Sequence, residues 1–312
     1  MGAEAAKSLV IGYGSIGKRH ESVLRDMGYR TAVLSRHAGE LHCPSFRDLG
    51  DAMDSFAPEY VVIANRTSEH LASLRALEDG GFAGTCLVEK PLFERVHPFE
   101  EPTAIDVWVG YVLRFHPLLR RAQELLAGKR LLSIDSYVGQ YLPDWRPGTD
   151  YRKSYSASIG GGGGVIRDLS HELDYIASLA GPWTRVAALG GHFSTLEIET
   201  DDAFGLLFES ERCPMILCQM NYLDRSVRRD LTVQYEGGTV HVDFVSQRIE
   251  HNGVPESLQV ERDESFRAMH AAILGGDAHG ACSFSEAQDT LDLIEAAEKA
   301  SKEGVWVCRP AR

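Results

Sequence analysis

Short apolar runs recur along the first third of the chain, and stretches with helical spacing lie between them. The first run, Leu9-Val10-Ile11, leads into a segment at 15–27. There Ile16, Val23, Leu24 and Met27 share one face of a 3.6-residue period, and Gly28 stands as a stop. Further strands are predicted at 31–34, 60–64, 85–88 and 105–109, the run at 60–64 being continuously apolar, as a strand buried on both faces needs. The span 46–56 predicts a short helix. A second helix has Leu71, Leu74 and Leu77 facing inward, Thr67 or Ser68 as its cap and Gly80-Gly81 at its end. Strands alternating with helices over about 110 residues predict an α/β domain with a parallel, doubly wound sheet.

Near residue 117 the pattern changes. A helix at 118–126 is followed by strand-like runs at 132–141, 184–193, 203–209, 215–222, 230–235 and 239–244, with Glu236-Gly237-Gly238 as a hairpin turn. Strands in succession without helices between them predict a large, mostly antiparallel sheet, hence an α+β domain. Two helices interrupt it. One at 165–179 follows five glycines at 160–164, and one at 285–302 turns Ala287, Leu291, Ile294 and Ala297 inward and is expected to brace the two domains. The division expected is a Rossmann domain over 1–115 and a substrate-binding and oligomerisation domain over 116–312.

Composition changes this picture little. The 312 residues suit about two domains. A net charge of -13 argues against nucleic acid and anionic membrane as partners. The six cysteines form no CxxC or CxxH pair, so reduced thiols are expected, with no disulfide framework and no metal site. No apolar run approaches the ~18 residues of a membrane span. The start lacks the apolar core of a signal peptide and the Ser or Thr of a myristoylation signal, and reads as a disordered lead. A cytoplasmic protein is expected.

The candidate chemistry begins at Gly12-Tyr13-Gly14-Ser15-Ile16-Gly17, a GxGxxG fingerprint between a predicted strand and helix. Gly12 would allow a tight turn, Gly14 the close approach of a pyrophosphate, and Gly17 close packing of helix on strand. The phosphates would lie on the N–H groups of the helix N-terminus. A glycine-rich turn without ligand is the plainer alternative. After the second strand stand Ser35, Arg36 and His37, where an NAD enzyme usually carries a carboxylate for the ribose 2′-OH. Ser and Arg would instead bind a 2′-phosphate, which favours NADP over NAD. Asn65 and Thr67 lie on the same carboxyl edge of the predicted sheet and are candidate cofactor contacts. His70 is grouped with them, although packing on its own helix is its simpler role.

At Glu89-Lys90-Pro91 the chain begins to resemble the Gfo/Idh/MocA oxidoreductases, the glucose–fructose oxidoreductase and inositol dehydrogenase family. The likeness takes in the fingerprint, the segment at 110–117 from Gly110 to Pro117, and the glycine-rich stretch with the following helix at 161–174. It implies a nicotinamide cofactor, with Glu89 and Lys90 on the cofactor edge and proton transfer shared by Lys90 and His171. It also implies a homodimer or homotetramer formed through the second sheet. Lys90 at a strand end has a charge suited to polarising a carbonyl. One departure stands out. Polyol dehydrogenases of the family place an Asp four residues before that His, where this chain has Arg167; Asp168 lies three before, displaced by about 100° on a continuous helix. Asp168 is therefore a third catalytic candidate, off the expected position, and Arg167 a candidate for an anionic substrate group. Asp174 is read as a helix anchor.

The stretch at 138–155 resembles a narrower branch associated with acidic nine-carbon and other surface-glycan sugars. Tyr141, Trp145, Arg152, Lys153 and Tyr155 there would line a sugar or carboxylate pocket, or else form an ordered surface loop. Arg114 and His116, at the domain junction, are further substrate candidates. The expected function is oxidation of a secondary hydroxyl, or reduction of the matching carbonyl, on a sugar, sugar acid or activated sugar. A non-catalytic dinucleotide-binding regulator and a reductase of a non-sugar carbonyl or diol are the alternatives.

Overall fold

The computed structural model describes residues 5–36 and 42–310, so the lead at 1–4 and His37 lie outside the described residues. In chain order the elements begin with β1 (Lys7–Ile11), α1 (Ser15–Asp26), β2 (Arg30–Leu34), β3 (Ser45–Phe46), α2 (Leu49–Phe56), β4 (Tyr60–Ile63), α3 (His70–Asp79), β5 (Thr85–Val88) and β6 (Asp106–Val109). They continue with α4 (Pro117–Leu126), β7 (Leu131–Gly139), α5 (Val165–Asp168), α6 (His171–Ala180), β8 (Trp183–Gly191), β9 (Ala203–Ser210) and β10 (Ile216–Asn221). The last are β11 (Arg228–Tyr235), β12 (Gly238–Asp243), β13 (Arg248–His251), β14 (Val254–Ser257), α7 (Glu264–Leu274), β15 (Cys282–Ser283), α8 (Phe284–Glu303) and β16 (Val307–Cys308).

The chain divides into two compact units. The first runs to Phe93, resumes over His97–Val112 and takes back Arg262–Ala287; the second holds Glu94–Val96, Leu113–Glu261 and Gln288–Arg312. This differs from a single cut at 115/116. The returning segment carries α7, whose Phe266, Met269, His270 and Ile273 are buried, and β15, which pairs antiparallel with β6. The division falls within α8, between Ala287 and Gln288.

In the first unit seven strands run in the order β15-β6-β5-β4-β1-β2-β3. The pairs from β6 to β3 are all parallel. Leu9, Val10, Val61, Val62, Leu87 and Val88 are wholly buried, as strands covered on both faces require. The chain leaves β1 towards β2 and returns to the other side of β1 at β4. The carboxyl end of β1 is thus the switch point, where open α/β sheets bind ligands.

The second unit is a nine-stranded sheet, β14-β13-β12-β11-β7-β10-β9-β8-β16. Only β7 and β10 run parallel; the other neighbours are antiparallel. One face of β7 meets α6, where Ser136 Oγ lies 2.8 Å from Tyr175 Oη. The opposite face leaves Leu132, Leu189, Leu207 and Leu217 exposed, with Leu217 directly across from Leu207.

Several elements differ from the sequence reading. The short helix starts at Leu49 because Ser45 and Phe46 pair with Val33 and Leu34 as an edge strand, and Asp48 then caps by accepting the Asp51 N–H. Neither Thr67 nor Ser68 caps α3; they form a 3₁₀ turn, Thr67–Glu69, before it. No regular element joins β5 to β6. The helix expected at 165–179 is broken: α5 ends at Asp168, Leu169 and Ser170 form a turn, and His171 opens α6. Arg167 and Asp168 therefore do not share a continuous helix with His171, and the 100° displacement reckoned for Asp168 does not apply.

Candidate functional site

The first unit builds its candidate site at the end of β1. Gly12 adopts φ +95°, and a Cβ there would lie 2.6 Å from the Asn65 backbone. A Cβ at Gly17 would lie 2.1 Å from the Gly12 carbonyl oxygen, so helix and loop meet in closest contact. Gly14 differs: nothing lies within 4 Å of the position of its Cβ, and Gly14 and Ser15 are exposed. α1 begins at this open point with neither a side-chain cap nor an acidic residue in its first turn. Its N-terminal dipole and N–H groups are thus offered to an anion, with space for one. Tyr13 and Ile16 are half-buried beside it. The neighbouring strand ends close around the loop, as the Gly12 N–H donates to Leu34 O at 2.9 Å and the Ala64 N–H to Ile11 O at 2.8 Å.

Asn65 donates from Nδ2 to Ser73 Oγ at 2.8 Å, and Thr67 is buried. Ser35 donates its N–H to Phe46 O, and Arg36 is exposed. His70 does not line the edge. Its ring is buried, with Nδ1 3.1 Å from Pro91 O and 3.2 Å from Leu92 O, so it holds the loop after β5. Burial lowers its pKa, against the pull of the hydrogen-bonded carbonyls.

Lys90, half-buried at the end of β5, donates its N–H to Glu89 Oε2 at 3.2 Å, and the Lys90-Pro91 peptide is cis. Behind it lies a buried row of polar groups. Glu89 Oε1 is 2.8 Å from His20 Nε2, His20 Nδ1 is 2.9 Å from His270 Nε2, and His270 Nδ1 is 2.9 Å from Tyr60 Oη. Sequence reasoning missed three of these four residues. The signal was there: His20 lies within the apolar face of α1, and His270 within that of α7.

The second unit builds around the glycine-rich stretch and the broken helix. The glycines at 163 and 164 are required by the chain's own packing. A Cβ at Gly163 would lie 2.1 Å from Tyr155 O, and one at Gly164 2.4 Å from Asp201 Oδ1. Gly160 is exposed, with only Ser158 Oγ nearby at 3.9 Å. His171 stands half-buried at the start of α6. Asp168 is buried and accepts the Tyr222 hydroxyl at 2.5 Å. Tyr155 also bonds to it, and both phenols are pushed up by burial and by the Asp168 charge.

Four predicted substrate residues are already engaged by protein. The Arg167 guanidinium pairs with Glu298 and donates to Glu94 O at 2.9 Å, so its charge, expected to face an anionic substrate group, is met within the protein. Arg114 is buried against Asp174, with bonds of 2.7–3.1 Å from Nε and Nη2. It anchors α6. Arg152 pairs with Asp150 and Glu197 on the surface. His116 caps α4, its Nδ1 accepting the Leu118 N–H at 3.3 Å, with its ring against Phe244.

The aromatic residues remain as a cluster. Trp145 meets the Tyr222 ring edge-on at 5.1 Å and donates from Nε1 to Gln140 O. Arg146 lies over Tyr155, and Arg225 over Tyr141 with Cζ 3.5 Å from the ring centre. Neither Tyr222 nor Arg146 was singled out by sequence; both follow from the contacts of Asp168 and Tyr155. Lys153 is exposed. Among the described residues no group of three His, Cys, Asp or Glu could hold a metal ion, and no helix is long and apolar enough to cross a membrane.

No protein-family model matches the chain, and no curated protein matches it by sequence. Solved structures do match its fold. GenD2 from gentamicin A biosynthesis, in complex with NAD, is similar over 99% of this chain and 97% of its own, with TM-score 0.81 and 20% identity. The WlbA dehydrogenase from Bordetella pertussis, in complex with NADH and UDP-GlcNAcA, covers 99% and 100% with TM-score 0.80 and 19% identity. A levoglucosan dehydrogenase in complex with NADH covers 99% and 100% with TM-score 0.81 and 15% identity.

Proposed function

We propose that the protein is a nicotinamide-dependent oxidoreductase of the Gfo/Idh/MocA type, acting at a secondary hydroxyl or its carbonyl on a sugar, sugar acid or nucleotide-activated sugar. The observation that carries this reading is the end of β1. Gly12 turns the chain, Gly17 brings α1 against it, and open space lies at Gly14 before an uncapped helix. The fit is to a pyrophosphate. Similarity of fold to proteins crystallised with NAD or NADH, two of them named as dehydrogenases, supports the same reading.

When bound, the dinucleotide supplies the hydride acceptor or donor. The chain's own residues handle the proton: Lys90 and His171 take it from the substrate hydroxyl on oxidation and return it on reduction, while the Lys90 charge stabilises developing negative charge on that oxygen. Asp168, held by Tyr222 and Tyr155, shapes the substrate wall with Trp145 and Tyr141. On the 2′ position two lines of support differ. Ser35 and Arg36 favour a phosphate, whereas the similar structures hold NAD or NADH. A second copy of the chain covers the face bearing Leu132, Leu189, Leu207 and Leu217, giving a homo-oligomer.

The test is a turnover screen over sugars, sugar acids and nucleotide sugars with both dinucleotides, followed by Lys90→Ala and His171→Ala. Loss of about 10²–10⁴-fold in kcat from each is expected of groups in proton transfer. If titration calorimetry detects binding of neither dinucleotide, the proposal fails.

A further inference from the structure

The buried row behind Lys90 has a direction. Tyr60, His20, His270 and Glu89 are 1%, 0%, 0% and 8% exposed, so each hydrogen bond is decided within the row. An ionised carboxylate only accepts, and so His20 donates from Nε2 to Glu89. Burial holds His270 well below the ordinary histidine range, so it carries one N–H. Burial pushes the Tyr60 hydroxyl far up, so it keeps its proton. Tyr60 then donates to His270 Nδ1, and His270 donates from Nε2 to His20 Nδ1. All three bonds point at Glu89, in the arrangement in which successive hydrogen bonds polarise one another.

The row is an anchor and not a conduit, because its far end, Tyr60, is buried. At its near end the Glu89 carboxylate holds one backbone point and lies close against another. Oε2 accepts the Lys90 N–H, and Oε1 lies where a Cβ on Gly110 would come within 2.8 Å. α7 brings His270 to this row across 250 residues of sequence and is clamped on α1: Arg19 Nε donates to Asp263 Oδ1 at 2.7 Å, and its guanidinium lies 4.0 Å from the Phe266 ring centre.

We propose that His270 and His20 are positioning residues for Lys90: the one-way row Tyr60→His270→His20→Glu89 fixes the charge and orientation of the carboxylate that holds the Lys90 backbone. This rests on the reading of Lys90 as a proton-transfer group. It does not depend on which sugar is the substrate.

Long-range ¹H–¹⁵N spectra of the full-length, histidine-labelled protein at neutral pH test the direction. His20 and His270 are both expected as neutral rings with Nε2 protonated and Nδ1 bare. Nδ1–H on either ring, or an imidazolium, overturns the proposal, since the row would then run the other way or carry charge. The functional arm compares His270→Phe with His270→Gln, whose amide retains a donor. About a tenfold loss of kcat is expected for Phe, with the KM for dinucleotide within about twofold and most of the loss recovered by Gln. Wild-type kcat in His270→Phe, or equal losses in both variants, overturns it. Should His270→Phe not fold, Tyr60→Phe is read by the same spectra and is expected to turn His270 into a mixture of tautomers; an unchanged His270 counts against the row. A wild-type rate in Lys90→Ala would instead sink the proposed role of Lys90, with the spectra still deciding the row.

Discussion

Glu89 in the first unit and Asp174 in the second are both buried carboxylates close in sequence to a residue given a chemical role, and the chain satisfies them by different means. Asp174 is met by a full positive charge, with Arg114 4% and Asp174 1% exposed. Its neighbour Glu172 is likewise buried against Arg229 at 2.8 Å. Glu89 is met on its Oε1 by a histidine, with a second histidine and a tyrosine hydrogen-bonded behind it. A charge pair concentrates its energy in two side chains and leaves a naked charge when one is removed. A hydrogen-bonded row spreads the same task over several bonds, each individually modest.

The largest expected effect follows from that contrast. Arg114→Leu strands the Asp174 carboxylate and should cost about 3–5 kcal/mol, read as a lowered urea midpoint of the second unit. Replacing both partners by leucine should recover much of it, because an apolar pair need not be worse than a buried ion pair. Tyr60→Phe removes only the first donor of the hydrogen-bonded row and should cost about 1–2 kcal/mol. Equal costs for the two single variants would break the comparison.

A smaller effect concerns mild acid, and here the two units should move in opposite directions. His270 and His70 are held below the ordinary value of 6.5 by burial, so the unfolded chain binds their protons first. Their stabilising contribution is present above that value and is lost as pH falls through it. Asp201 in the second unit is pushed up to about 6 from 3.8, mainly by burial. The folded chain therefore binds its proton first, and the second unit gains from Asp201 as pH falls from about 6 towards 4. Hydrogen exchange followed over this range should show protection falling around α7 and rising around α5. Parallel changes in both would remove the distinction.

Legibility in the sequence divides along the same line. The first unit was readable because a parallel strand is a continuous apolar run and because the fingerprint needs glycine for local reasons, at Gly12 and Gly17. The second unit's sheet was readable as alternation, yet its site was not. Nothing in the pattern at 165–179 marks the turn at Leu169 and Ser170, since apolar spacing continues through it. The partners of Arg167 and Arg114, Glu298 and Asp174, lie 131 and 60 residues away, and a charged residue does not announce its partner at such separation. α7 is a different case. Phe266, Met269, His270 and Ile273 keep the helical period, so the helix was legible and passed over; its place beside α1 was not, because that depends on tertiary packing.

The smallest effect tests the reading of arginine as an anion receptor, where the two units again differ. Arg167 was expected to face an anionic substrate group and is instead fixed by Glu298 and Glu94. Arg36 was expected to face a 2′-phosphate, and it is exposed at the end of β2, beside the strand end that carries Gly12. Arg36→Asp leaves the core untouched, so the thermal midpoint should stay within about a degree or two, as for a surface substitution. If Arg36 contacts a phosphate, the new carboxylate repels it while accepting bonds from a free 2′-OH, and the ratio of kcat/KM for NADP over NAD should fall about tenfold or more. An unchanged ratio would mean that Arg36 does not reach the ribose and contributes nothing to the choice of dinucleotide. The measurement needs only the two dinucleotides and one turned-over sugar, and it separates an arginine that reads its ligand from one that, like Arg167, serves the fold.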